Sequence, residues 1–146
     1  MKNLAVLAML LTFTAGAVAQ TAKPADPNAS ALASLQGKWV INSLNGQAAT
    51  EGGMEVSLTF TGDKYAQTMN GEVNERGTIK LDASKKPMTI DLIITEGSDA
   101  GKTQLGVFDV AGDKLTANFD VPGAGQRPSD LSPHEGSLLF VATKAK

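Results

Sequence analysis

The chain has 146 residues, with 13 Lys and Arg against 15 Asp and Glu, a formal net charge of −2, 42% hydrophobic and 5% aromatic residues. That length suggests one domain, and the weakly acidic, evenly mixed charge leaves no electrostatic case for nucleic acid or anionic membranes as partners. Cysteine is absent, so the fold must be held by its core rather than by disulfides, which is feasible because a domain of this size buries roughly two-thirds of its unfolded surface.

Residues 1–19 read as a secretory signal peptide. Lys2 supplies a positive start, Leu4 to Thr14 an apolar stretch, and Ala17-Val18-Ala19 a small-residue cleavage site before Gln20. The expected location is therefore the periplasm or the exterior, with no stable membrane insertion once the segment is removed. No Cys follows the apolar stretch, so a lipid anchor on cysteine is excluded. Residues 20–34 are expected to be a flexible lead-in. Its first part, Gln20 to Ala29, is rich in Pro and Ala. Ser30 to Gln36 is compatible with a short helix, with Asn28 or Ser30 as N-cap and Gly37 as stop, or with an irregular segment.

Residues 35–144 then read as one β domain. Eight extended runs follow one another: Gly37–Leu44, Met54–Phe60, Lys64–Met69, Glu72–Leu81, Met88–Thr95, Thr103–Val110, Lys114–Val121 and Ser137–Thr143. Turn chemistry separates them. Asn45-Gly46 and Asn70-Gly71 are strong hairpin dipeptides, and Gly-Asp occurs at Gly62-Asp63 and again at Gly112-Asp113. Most runs alternate with period two. In the first, Trp39 and Ile41 share one face, with Val40, Asn42 and Leu44 on the other. Met54, Val56, Leu58 and Phe60 are expected to point inward, as are Met88, Ile90, Leu92 and Ile94, and likewise Leu115, Ala117, Phe119 and Val121. The run from Gln104 to Val110 breaks the pattern, and a bulge at Gly106 is the expected cause. A break near Gly77 is expected in the fourth run.

The predicted class is all-β: an eight-stranded antiparallel up-and-down barrel with a short N-terminal helical turn. A two-sheet sandwich is the alternative.

Several stretches carry a resemblance. Gly37-Lys38-Trp39 looks like the G-x-W motif that opens lipocalin-type barrels. Leu35–Gln47, Gly77–Leu115 and Pro122–Leu131 are similar to a family of exported lipocalin-like domains of unassigned function, abundant in planctomycetes and related environmental bacteria. Its recurring pieces are matched by LDASKKP (Leu81–Pro87), TEGSDAGKTQLG (Thr95–Gly106) and Arg127-Pro128. The resemblance implies a barrel whose Gly37 and Trp39 are structural, the Trp closing one end. In many lipocalins a basic residue near the last strand packs over that Trp. The candidates here are Lys144 and Arg127. The resemblance implies no substrate.

The inventory for catalysis is thin. The chain has one His, His134, and one Tyr, Tyr65. A serine triad would need His134, and no G-x-S-x-G elbow accompanies it. One His cannot build a zinc site, and no calcium-loop pattern occurs. SDAGKT (Ser98–Thr103) lacks the first Gly of a phosphate loop and lies between strands, so it reads as a hairpin turn. No catalytic residue, metal or cofactor is expected, and the protein is not expected to be an enzyme.

Two functional readings stay open. One is a monomeric barrel that binds a small apolar or amphipathic molecule. The other is a module that meets an envelope protein through loops at one barrel mouth. Arg127, His134 and Tyr65 are the ligand-binding candidates. The segment Pro122–His134 is expected to cross a barrel mouth, with Asp130 or Glu135 close enough in sequence to pair with Arg127. A dry interior pocket of about 300 Å³ would cost on the order of 7 kcal/mol, so any pocket must be wet, liganded or smaller.

Overall fold

The structure is a computed structural model and describes residues 24–146. The signal peptide expected over residues 1–19, and the first residues of the lead-in, lie outside the described residues.

The first element is α1, Pro27–Leu35. It begins earlier than the sequence suggests. Asp26 is the N-cap, its side chain accepting from the Asn28 N–H, and Pro27 takes the first helical position. Asp-Pro suits a helix start because proline's missing N–H costs nothing there. So Asn28 and Ala29 are helical rather than part of a tether. The helix ends at Leu35, Gln36 is its C-cap, and Gly37 follows with φ of 104°. Ala31 and Leu35 form its buried face.

Nine strands follow: β1 (Gly37–Leu44), β2 (Gln47–Ala48), β3 (Val56–Thr61), β4 (Lys64–Met69), β5 (Glu72–Asp82), β6 (Met88–Glu96), β7 (Thr103–Ala111), β8 (Lys114–Phe119) and β9 (Leu138–Lys144). From β3 onward each strand pairs antiparallel with the next, β1 pairs with β3, and β9 returns to β1. The sheet is therefore an eight-stranded barrel, closed by the β1–β9 pairing, and β2 is a short extra hairpin arm on β1. Closure removes the free edges that a sandwich would leave. Asn45 and Asn70 both adopt positive φ ahead of Gly46 and Gly71, the left-handed pair that a tight hairpin demands.

Register shifts in β1 and β5 interrupt simple alternation. In β1 the register against β9 shifts between Ile41 and Ser43. The extra residue, Asn42, turns Leu44 to the inside beside Ile41, so the two do not lie on opposite faces. In β5 the pairing with β6 shifts between Arg76 and Gly77, where an interruption was expected.

At Gly106, by contrast, there is no bulge. The β6–β7 and β7–β8 registers run through it unbroken. Gly106 faces inward, and a Cβ on it would lie 2.4 Å from the Phe119 ring. The glycine makes room for an aromatic. The β7 pattern looks broken because both of its faces are covered: Phe108 points inward and Val107 outward, yet they are 1% and 2% exposed.

Two residues expected inside are not. Met54 precedes β3 and Val121 follows β8, and they are 44% and 56% exposed. Inward alternation stops where the strands stop.

Candidate functional site

The two ends of the barrel differ. At one end α1 lies across the opening. Trp39 and Leu35 are fully buried there, and the Trp39 Nε1 donates to the Leu35 carbonyl at 2.7 Å. That bond satisfies the indole and ties the helix's last turn to β1. Lys144 pairs with Trp39 across β1 and β9, and its Nζ sits 5.5 Å from the ring centroid. A Cβ on Gly37 would come within 3.3 Å of the Lys144 Cε, so glycine leaves the lysine stem its path over the indole. Of the two basic candidates, Lys144 covers Trp39. The Gln36 side chain grips Gly62 at both its N–H and its carbonyl, and the Asn28 Oδ1 accepts from the Ala83 N–H. The helix is fastened to the rim by polar anchors as well as by Leu35.

The other end is open. It leads into a cavity of about 300 Å³. Ile41, Leu58, Leu92 and the Phe119 and Phe140 rings form its apolar wall. The two rings stack with centroids 5.9 Å apart. Met54, Met69 and Leu138 stand at its rim, 44%, 37% and 40% exposed. Three polar side chains line it: Gln67, Glu75 and Gln104. Gln67 and Glu75 are paired across β4 and β5, while Gln104 donates to the Asp120 carbonyl at 2.8 Å.

Glu75 links this cavity to Tyr65. The Tyr65 hydroxyl donates to Glu75 Oε1 at 2.8 Å. Tyr65 is 3% exposed, one inward step deeper than Gln67 on β4. Burial first, then the hydrogen bond to Glu75 and its charge, pushes the tyrosine hydroxyl well above its ordinary range, so it remains a donor. Gly77 stands beside Tyr65 across the sheet, and a Cβ there would meet the Ile93 carbonyl at 2.1 Å and Tyr65 Cε1 at 2.7 Å.

The segment from Pro122 to His134 meets the open mouth at Pro122, which lines the cavity, but does not run on across it. It folds back over the outer wall of β6, β7 and β8. Arg127 donates to the Gly106 carbonyl at 2.8 Å and to Asp91 Oδ1 at 2.6 Å. Its carboxylate partner is thus an outward residue of β6, not Asp130 or Glu135. Asn118, outward on β8, is fully buried and donates to the carbonyls of Asp130 and Ser132. Asp120 is 5% exposed and accepts from the N–H groups of Leu105 and Gln126. Outward polar residues of the barrel are therefore anchors of the loop, pairing its Asp130 and Ser132 carbonyls and its Gln126 N–H, while the Asn118 Oδ1 stays buried without a partner.

Arg127 and His134 line a cleft of about 380 Å³ between loop and barrel. His134 Nε2 contacts Asp130 Oδ1 at 2.7 Å. The bond from His134 first, then the Ser132 N–H, holds the Asp130 carboxyl below its usual range. Ser137 bonds the main chain of His134 and not its imidazole, so Asp130, His134 and Ser137 form no nucleophile relay. Among the described residues no three His, Cys, Asp or Glu side chains gather to hold a metal ion.

The three candidate residues thus fall in two places. Arg127 and His134 share the outer cleft, and Tyr65 lies inside the barrel. Glu75, Gln67 and Gln104 escaped the sequence reading, though a signal existed. Glu75 is in step with Gly77, Ile79 and Leu81, and Gln104 with Phe108 and Val110. Extending each inward series by two or four residues places these polar groups inside.

These features define a class: a closed antiparallel barrel, sealed at one end by a helix and a tryptophan and hollow at the other. Comparison with protein-family models, curated proteins and solved structures found no match to this chain.

Proposed function

We propose that the protein is a binding barrel of the exported lipocalin-like kind, and that it holds one small, mainly apolar molecule in its open half. The observation that carries this reading is the cavity of about 300 Å³, apolar in its wall and rimmed by exposed Met54, Met69 and Leu138. Its size lies at the lower end of ligand pockets. A barrel that needed only stability would gain by filling that space. Because the cavity opens to solvent, water occupies it when no ligand does, and the cost of a dry void does not arise. The Gly37, Trp39 and Lys144 arrangement supports the family reading, since it places a basic residue over the motif tryptophan. The outer cleft is the weaker site: Arg127 already spends its guanidinium on Asp91 and on main-chain carbonyls.

Calorimetric titration with n-octanol tests the proposal. The expected result is one-to-one binding with a negative heat-capacity change, the mark of apolar burial. Val56→Trp, which puts an indole into the cavity from its wall, is expected to abolish binding while the melting temperature holds. Absence of binding to the wild type, or equal binding by Val56→Trp, overturns the reading.

A further inference from the structure

Resting on that reading, we infer that the ligand carries a protonated amine, held inside the barrel by Glu75. Glu75 is the one ionisable side chain among the residues lining the cavity. It forms no ion pair among the described residues, whereas Asp91, Glu55, Glu96 and Asp99 each have a Lys or Arg partner. Its Oε1 is occupied by the Tyr65 hydroxyl, and that bond fixes the carboxylate's position. Oε2 is left for a ligand. Glu75 is part-buried, and among the described residues its carboxylate has only the Tyr65 hydroxyl as a side-chain partner; a cation at Oε2 would add a charge-assisted bond.

The neighbours fit the same polar end. Gln67 stands directly across the β4–β5 pair from Glu75. Gln104 has committed its amide nitrogen to the Asp120 carbonyl, so its Oε1 remains an acceptor. Glu75, fixed by Tyr65, presents only acceptors, and an ammonium, which has three donors and no acceptor, matches it; Gln104, two strands away on β7, keeps its Oε1 as a further acceptor on the wall. A carboxylate, such as a fatty acid's, would meet a like charge and find no cation. The tail would then run along Leu58, Leu92, Phe119 and Phe140 toward the rim. A cavity of about 300 Å³ accommodates one short chain, which favours a free amphiphile over a two-chain aminophospholipid with the same head.

Three probes of equal chain length separate this inference from the reading beneath it: n-octylamine, n-octanol and n-octanoate, titrated near neutral pH. Octylamine is expected to bind about tenfold to a hundredfold more tightly than octanol, the range for a hydrogen bond to a charged group, and octanoate more weakly than octanol. Glu75→Gln keeps an acceptor for Tyr65 and removes the charge. It should cancel the amine's advantage, leave octanol binding as it was and relieve the exclusion of octanoate. If all three probes bind alike, or if Glu75→Gln leaves the amine preference intact, the amine inference falls while the binding barrel stands. If none binds, the binding barrel itself falls. Binding of the wild type to aminophospholipid vesicles but not to free octylamine would overturn the single-chain ligand.

Discussion

The closed and open halves of this barrel are built from the same strands and differ in how they are filled. Around Leu35, Phe60, Phe108 and Leu115 the residual space is about 10 Å³, while the half that opens between Met54, Met69 and Leu138 holds about 300 Å³. The closed half has a tryptophan, several phenylalanines and a helix to draw on. The open half receives glutamines and a glutamate at inward positions where Leu or Ile would have completed a core. These side chains are only part-buried, and they forgo the apolar burial that Leu or Ile would have added there. The same closed sheet thus supplies a rigid plug and, above it, a lined cup.

The largest break in that contrast comes from emptying the plug. Trp39→Ala removes a fully buried indole together with its bond to Leu35 and its contact with Lys144. The expected loss is about 3–5 kcal/mol in urea melts, the range for truncating a buried aromatic. A loss under about 1 kcal/mol would mean that the indole does not seal the barrel. Lys144→Met should cost far less, because a cation over a ring that still reaches solvent contributes about 0.5–1 kcal/mol, and Lys144 is half-buried rather than enclosed.

Arg127 tests a different wall. Its bonds to Asp91 and Gly106 hold the middle of the long loop against the outside of the barrel. Both side chains of the ion pair are 30% exposed, which leaves part of its Coulomb energy screened. Arg127→Ala should lower stability by about 1–3 kcal/mol, since it also strands a carboxylate and a carbonyl that are part-buried. Arg127→Lys should recover little, because a point charge cannot reproduce a fork that reaches three acceptors. Octanol binding should be unchanged in both. Loss of binding at full thermal stability would move the site from the cup to the outer cleft.

What the sequence made legible follows from which signals are local. The Asn-Gly turns and the runs such as Met88, Ile90, Leu92 and Ile94 each report on a few residues, and together they imply a meander that has to close. Contacts between distant residues were not legible in that way. Arg127 has Asp130 and Glu135 for sequence neighbours but finds Asp91, 36 residues back. The loop's path over the outer wall could not be read because Asn118 and Asp120 look like solvated outward residues. Nothing in the alternation says that they are buried anchors. The cup escaped for a related reason. Polar residues in strands are assigned to the outside by default, so Gln67, Glu75 and Gln104 were passed over although their spacing pointed inward.

The smallest effect on folding should come from the rim, and this makes it the sharpest test of the cup. Met54, Met69 and Leu138 are more than one-third exposed, so replacing them removes less buried surface than replacing a core residue. The double substitution Met54→Ser, Leu138→Ser should therefore change stability by no more than about 0.5 kcal/mol per site, the usual range for surface positions. If the rim exists to cover a ligand's tail, the same variant should bind octanol severalfold more weakly, at about 0.8 kcal/mol for each methylene no longer covered. The pairing of these two outcomes is informative. A residue kept for folding loses stability when replaced, and one kept for a ligand loses affinity alone. A rim variant that melts several degrees lower and binds octanol as before would mean that these side chains complete the core of the open half, and that the cup is only the space they fail to fill.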